Sequence, residues 1–299
     1  MIEIPKSFVF STVQREGDAS RTWLAALPQL LEELLVRWSC TPNGAPLHGQ
    51  VGLVLPVLYH DSPAALKISY PHPGLVHEPH ALARWNGVGA VQLHERDDEH
   101  FAMVLEVARQ STLADLDDAD EAVAKVGRLA RRLAVPAPPG LPRLREHAEQ
   151  WWGDEIREGA EELDYPLERR VVEAALATVE ELGPDQPDTL VHGDLHFENV
   201  LRAEREPWLA IDPKGYVGDP AYDAIKMLRG RVDNLFGTGN LRAALLRRLN
   251  VFSDAAELDR DRVRRWAQMR AVMSAQWGRQ NGDDPRLVDI TEQIAEILT

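Results

Sequence analysis

Residues 189–215, TLVHGDLHFENVLRAEREPWLAIDPKG, decide how the rest of the chain is read. The stretch opens with an apolar run, residues 189–191, that reads as a buried strand ending in the polar turn His192-Gly193-Asp194-Leu195-His196. A second apolar run, Val200-Leu201, follows Glu198-Asn199, and a third, residues 208–211, ends on Asp212 with Pro213 and Gly215 behind it. Short strands so placed deliver Asp194, Asn199 and Asp212 to loops at their ends. Two carboxylates and a carboxamide in that order suit phosphoryl transfer. Asp194 would orient an attacking hydroxyl, while the Asn199 amide oxygen and the Asp212 carboxylate would hold magnesium.

HGDLHFENVL at residues 192–201, followed by LAIDPKGYVGDPAYDAIKML at 209–228, resembles the catalytic core of the aminoglycoside phosphotransferase superfamily. Within that superfamily it is most similar to the streptomycin 6-kinase and hydroxyurea phosphotransferase branch. The similarity runs from about Thr22 to the end and is densest between Val191 and Asp223. An HxDxxxxN motif joined to a strand-borne Asp-Pro and a GDPxxD is a specific combination. The resemblance implies an α+β, protein-kinase-like fold of two lobes, with ATP and Mg2+ as cofactors and a small-molecule acceptor.

Composition sets outer bounds. At 299 residues with 44% hydrophobic and 27% charged side chains, the chain has the make-up of a soluble globular protein with a sizeable core. No apolar run approaches the roughly 18 residues of a membrane span. The start, MIEIPKSFVF, lacks a signal-peptide layout. The one cysteine, Cys40, excludes an internal disulfide framework, so a cytoplasmic location is expected. A formal net charge of -15 argues against nucleic acid and anionic membrane as partners. It suits a cationic acceptor, although an acidic surface also serves solubility alone. Of 33 basic residues only five are lysines, Lys6, Lys67, Lys125, Lys214 and Lys226, and Lys67 lies inside a strongly apolar run.

Residues 1–20 show no clear period and read as a loosely tied lead-in, whereas apolar positions at helical spacing predict a helix over 21–38. Residues 40–49, with Pro42, Asn43-Gly44 and Pro46, read as a turn cluster. Residues 51–59 and 64–70 read as a hairpin around a turn at 60–63, with Lys67 in the second strand. Lys67 is either an edge-strand gatekeeper or a lysine reaching phosphates in a cleft, and its position ahead of a hinge and catalytic loop favours the latter. LHGQVG at 47–52 occupies the place of a phosphate-covering glycine loop without being GxGxxG, leaving Gly49 and Gly52 as the candidates. Residues 77–85 predict a helix with Pro79 in its first turn, and Glu78 is the candidate partner of Lys67 or an ordinary first-turn glutamate. A strand at 90–93, a turn at 95–99 and a central strand at 101–107 follow. By resemblance, backbone groups of Glu106 and Ala108 in the hinge would meet the adenine edge.

From residue 115 the pattern turns helical, with helices expected over 117–133, 144–163, 165–182, 220–230, 241–252, 257–278 and 286–298, and a proline-rich connector at 135–142. This order implies a sheet-rich lobe, 1–106, on a larger helical lobe, 107–299, that carries the catalytic loop and the acceptor site. HGDLH also admits a zinc or di-iron reading, but no histidine or cysteine follows His196. In the kinase reading His192 anchors the loop. Asp219 reads as a helix cap, with an aspartate of GDPAYD bracing the catalytic loop by resemblance. Trp266 and Trp277 read as core, the Trp151-Trp152 pair as one buried and one exposed ring, and the acidic stretches at 154–155 and 158–164 as solvated helix faces. The expected activity is ATP- and magnesium-dependent transfer to a hydroxyl of an aminoglycoside such as streptomycin. A metabolic amino-sugar or amino-alcohol kinase and a catalytically silent binding protein remain open alternatives. No motif specifies the acceptor hydroxyl, ATP against GTP, or the oligomeric state.

Overall fold

The computed structural model describes residues 2–49, 51–231, 235 and 239–299. Its N-terminal part is built from helices α1 (Lys6–Glu16) and α2 (Ser20–Arg37), strands β1 (Cys40–Pro42), β2 (Leu47–His48), β3 (Gly52–Tyr59) and β4 (Ser62–Ser69), helix α3 (Glu78–Trp85), and strands β5 (Leu93–Asp97) and β6 (Ala102–Glu106). The strands form one antiparallel sheet in the order β1-β3-β4-β6-β5, with β2 also paired to β3. His60 and Asp61, both with positive φ, close the β3–β4 hairpin as a two-residue turn whose twist matches the strands. Alternation along β4 buries Ala64, Leu66 and Ile68 in an outer core under α1 and α2. The same alternation turns Lys67 to the opposite face, which looks into the cleft.

Three sequence expectations fail in this lobe. Residues 1–20 are not a loose lead-in: α1 buries Phe8 and Thr12 completely, and Phe8 meets the Trp23 ring edge-on at 6.2 Å. Its buried stripe is only these two positions, four residues apart, too narrow to register as a period. The expected turn cluster at 40–49 contains β1 and β2, edge strands too short to alternate. The expected turn at 95–99 is largely strand, because β5 runs to Asp97 and pairs with β6 past an irregularity at Leu93/Glu95.

The C-terminal part follows with α4 (Ala119–Leu133), α5 (Leu144–His147) running through a π-helical turn (Ala148–Trp152) into α6 (Gly153–Glu162), and α7 (Arg169–Leu182). After these come β7 (Leu190–Val191), β8 (Val200–Arg202), β9 (Trp208–Ala210), β10 (Tyr216–Val217), α8 (Ala224–Arg229), α9 (Leu241–Ala256), α10 (Arg260–Asn281) and α11 (Pro285–Leu298). One continuous core joins these helices to α3 and to Met103 and Leu105 of the sheet. A sheet-rich lobe thus rests on a helical one, as the α+β two-lobed reading expects. Trp266 is fully buried and Trp152 nearly so, while Trp151 is exposed. Trp277 is not core: it is 54% exposed and lines an open cavity beside α8. Among the described residues no helix is long and apolar enough to cross a membrane.

Candidate active site

The loop after β7 is shaped by what surrounds Gly193. Its φ of +83° and the lack of space explain the glycine, since a Cβ there would lie 2.6 Å from the Tyr216 ring and 2.9 Å from Lys214 Cβ. Asp223 Oδ1 accepts the Gly193 N–H at 2.8 Å. Asp223 is therefore the GDPAYD aspartate that braces the loop, and burial pushes its carboxyl up to about 7. Asp219 instead caps the helical turn, accepting from Ala221 N–H, and takes the Trp266 indole N–H at 2.8 Å. His192 lies buried against Trp85, the rings stacked 6.0 Å apart. Its Nε2 is 3.0 Å from the Ile211 carbonyl and its Nδ1 accepts the Asp194 N–H at 3.2 Å. Those partners specify the neutral Nε2–H tautomer, and burial lowers the imidazole to about 4.

The loop so pinned presents the Asp194 carboxylate to the cleft. Its Oδ1 pairs with Lys226 Nζ from α8 at 2.9 Å, and its Oδ2 is 3.9 Å from His196 Nε2. Burial pushes the Asp194 carboxyl up, but Lys226 outweighs it, so the group sits below the usual range and is ionised at neutral pH. Asn199 donates its amide to the Asp194 carbonyl at 3.0 Å, which leaves its amide oxygen as the group available for a cation.

The β8–β9 hairpin places the next pair. Val200 pairs with Ala210, and Ile211 N–H donates to the Asn199 carbonyl at 2.9 Å, so Asn199 and Asp212 leave the hairpin at the same end. Asp212 adopts a left-handed φ of 58°, an unusual backbone for a non-glycine residue. Its Oδ1 accepts from Lys67 Nζ at 2.8 Å, and the same ammonium reaches both Glu78 oxygens at 2.6 and 2.8 Å. Burial alone would strip Lys67 of its proton; Asp212 and Glu78 reverse this and hold it charged. Burial also pushes the Asp212 carboxyl up, and Lys67 brings it below the ordinary range. Gly52 backs this lysine, because a Cβ there would come within 2.9 Å of Ser69 Oγ and 3.3 Å of Lys67 Cε.

The structure thus brings Lys67, Glu78 and Asp212 into contact, and joins Asp194 and Asn199 in one loop. Gly49 lies at the β2–β3 tip, where its N–H donates to the Gly52 carbonyl at 3.0 Å, and Gln50 between them lies outside the described residues. The hinge backbone is partly committed. The Glu106 N–H is already given to the Gln92 carbonyl at 2.8 Å, so only its carbonyl side is left for an adenine. Its side chain is not idle either, since Arg205 donates to it at 2.7 Å. Ala108 N–H has no partner among the described residues. The two-histidine metal reading of HGDLH fails because both His192 nitrogens are engaged and His196 Nδ1 is 2.8 Å from Glu198.

Lys226 and Lys214 are the residues that sequence reasoning passed over. The Lys214 N–H donates to the His192 carbonyl at 2.7 Å, and its charge acts on Asp194, Asp212 and Glu78 together. The scarcity of lysine held the signal: three of the five lysines gather around two aspartates.

Residues 37–282 match the family model described as aminoglycoside/hydroxyurea antibiotic resistance kinase. The chain belongs to this family. A streptomycin 6-kinase of Streptomyces glaucescens is 37% identical to this kinase over 300 residues, covering 98% of this chain and 97% of the relative. A hydroxyurea phosphotransferase of Kitasatospora aureofaciens is 35% identical over 303 residues, covering 100% and 86%. Among solved structures, aminoglycoside phosphotransferase APH(4)-Ia superposes with a TM-score of 0.57 at 14% identity, covering 91% of this chain and 98% of that one. At that identity the likeness carries the fold, which is the protein-kinase-like one. This kinase is therefore a phosphotransferase acting on a small molecule, and ATP is the donor its family implies. The two oxygen donors at the hairpin end, the Asp212 carboxylate and the Asn199 amide, are the hard ligands that magnesium prefers.

Proposed function

We propose that this kinase moves the γ-phosphoryl group of ATP to a hydroxyl of a cationic aminoglycoside such as streptomycin, inactivating it. The observation that carries the roles is the meeting of Lys67 with Glu78 and Asp212 across 145 residues of sequence, on the cleft that also exposes Asp194. Lys67 would bind the nucleotide's phosphates, Asp194 would orient the acceptor hydroxyl and accept its proton, and Asn199 and Asp212 would hold magnesium. The ion would bridge phosphate oxygens and offset their charge. The Glu106 carbonyl and the Ala108 N–H would take the adenine edge, and Gly49 and Gly52 would lie over the phosphates. Division at this hinge into 1–106 and 107–299 would let the lobes close.

The acceptor would occupy the cavity of about 290 Å³ lined by Lys226, the ion-pair partner of Asp194, where Glu155, Asp283 and the exposed Trp277 offer two carboxylates and a ring face. Those groups fit a cationic ring, and the likeness to streptomycin 6-kinases names streptomycin first. The net charge of -15 opposes nucleic acid and anionic lipid as partners, and the buried free thiol of Cys40 suits the reducing, ATP-supplied cytoplasm.

Coupled ADP release with magnesium-ATP against streptomycin, other aminoglycosides, hydroxyurea and amino sugars tests this reading. Streptomycin-dependent release is expected, and Asp194→Ala should lower it by about 10² or more while ATP affinity is kept. Turnover only with a simple amino sugar would keep the kinase and remove the resistance role.

A further inference from the structure

Helix α8 turns two cations to one face, Lys226 and Arg229, three residues apart and both half-buried. Arg270 of α10 joins them along the cavity described above. It is held in place by Tyr222, whose ring lies 3.9 Å under its guanidinium carbon and whose carbonyl accepts from Nη1 at 2.9 Å. Lys226 has Asp194 as counter-ion, but Arg229 forms no ion pair or hydrogen bond among the described residues. Glu155 and Asp283 line the same cavity without pairing to any of the three. Burial, then the Arg270 charge, lowers the Arg229 guanidinium from its ordinary value. Of these three cations only Lys226 is in an ion pair among the described residues, so an anion entering among them would gain charge-assisted hydrogen bonds from Arg229 and Arg270.

We propose that Lys226, Arg229 and Arg270 form a phosphoryl-receiving site, holding the group as it passes to the acceptor and while it remains on the product. This rests on the phosphotransferase reading. In the step, the acceptor hydroxyl oxygen bonds to the γ-phosphorus while the bond to the β,γ-bridging oxygen breaks, its electron pair leaving on ADP. The hydroxyl proton goes to Asp194. On taking that proton Asp194 loses its charge, so its hold on Lys226 weakens as the new phosphate ester forms beside it. The ammonium is then free to turn to phosphoryl oxygens, and Arg229 and Arg270 complete the set. The site is distinct from Lys67, which lies on the sheet side of the cleft.

Arg229→Gln and Arg229→Lys test the site in the intact chain, with ADP filling the nucleotide pocket and inorganic phosphate titrated by calorimetry. Arg229→Gln should weaken phosphate binding tenfold or more and lower kcat by about 10²-fold, the cost typical of removing one preorganised donor, with the KM for ATP unchanged. Arg229→Lys should restore most of both. Phosphate affinity and kcat within twofold of wild type in Arg229→Gln would overturn the proposal. Equal losses in both variants with a lowered melting temperature would also overturn it, by showing a structural role. The phosphate titration needs no acceptor, so a wild-type protein inactive on every acceptor would refute the phosphotransferase reading and still leave this site open to judgement.

Discussion

Lys67 shows at the level of single residues what a buried charge demands. It is 4% exposed and Glu78 is 1% exposed, so neither charge is tolerable without the other. Lys67→Met should lower unfolding free energy by roughly 3–5 kcal/mol, because it strands a buried carboxylate. Adding Glu78→Gln should recover much of that stability in urea denaturation while leaving transfer lost. Simple addition of the two single losses would show that the pair is not coupled. His192 gives a pH signature. Its folded value near 4 lies below the ordinary histidine range, so the stability it contributes is present above about pH 6.5 and drains away as pH falls towards 4. Wild type should lose about 1.4 kcal/mol per pH unit across that window relative to His192→Gln, which cannot take up the proton. Equal acid sensitivity of the two proteins would contradict the buried neutral imidazole.

Among the elements, α4 shows what periodicity specifies. Ala122, Val123, Val126, Leu129, Ala130 and Leu133, the apolar positions of its sequence, are all buried, and Asp118 caps the start by accepting from Asp120 and Glu121 N–H. Its packing partner was not readable. Gly127 lets α9 approach so closely that a Cβ would lie 2.8 Å from Ala255 Cβ and 2.9 Å from the Phe252 carbonyl. Gly127→Val should destabilise the protein by about 1–3 kcal/mol through overpacking, read as a lowered denaturation midpoint. A wild-type midpoint would mean that the two helices shift apart freely. Where the pattern was weak, reading failed: α1 has a two-residue stripe, β1 and β2 are too short to alternate, and α7 starts at Arg169 rather than 165, where Asp164 and Tyr165 turn left-handed.

Across the whole molecule, the turn joining β8 to β9 acts as a tie. Arg205 donates to Glu106 at 2.7 Å and to the Ala90 carbonyl at 3.1 Å, while Glu206 accepts from Arg132 of α4 at 2.6 Å and from Gly89 N–H at 3.3 Å. One hairpin turn of the catalytic region thus holds the hinge strand, the segment leaving α3 and the first helix of the C-terminal lobe. Arg205→Ala should speed amide exchange at Gln92, whose N–H donates to Glu106, with little change at the outer core under α1 and α2. Unchanged exchange at Gln92 would show that the tie does not restrain the hinge.

The sequence by itself determined the sheet-then-helix plan and singled out Lys67, Glu78, Asp194, Asn199 and Asp212 as candidates. Those features rest on local order: strand alternation, helical period, and a polar turn between short apolar runs. Lys67 and Glu78 apart, tertiary structure alone decided which charges meet. Lys226 reaches Asp194 from a helix 32 positions further on, Asp223 rather than Asp219 braces the loop, and Trp277 stays exposed over a cavity. Such contacts depend on how helices cross and on which buried charges find partners. No spacing along the chain encodes either.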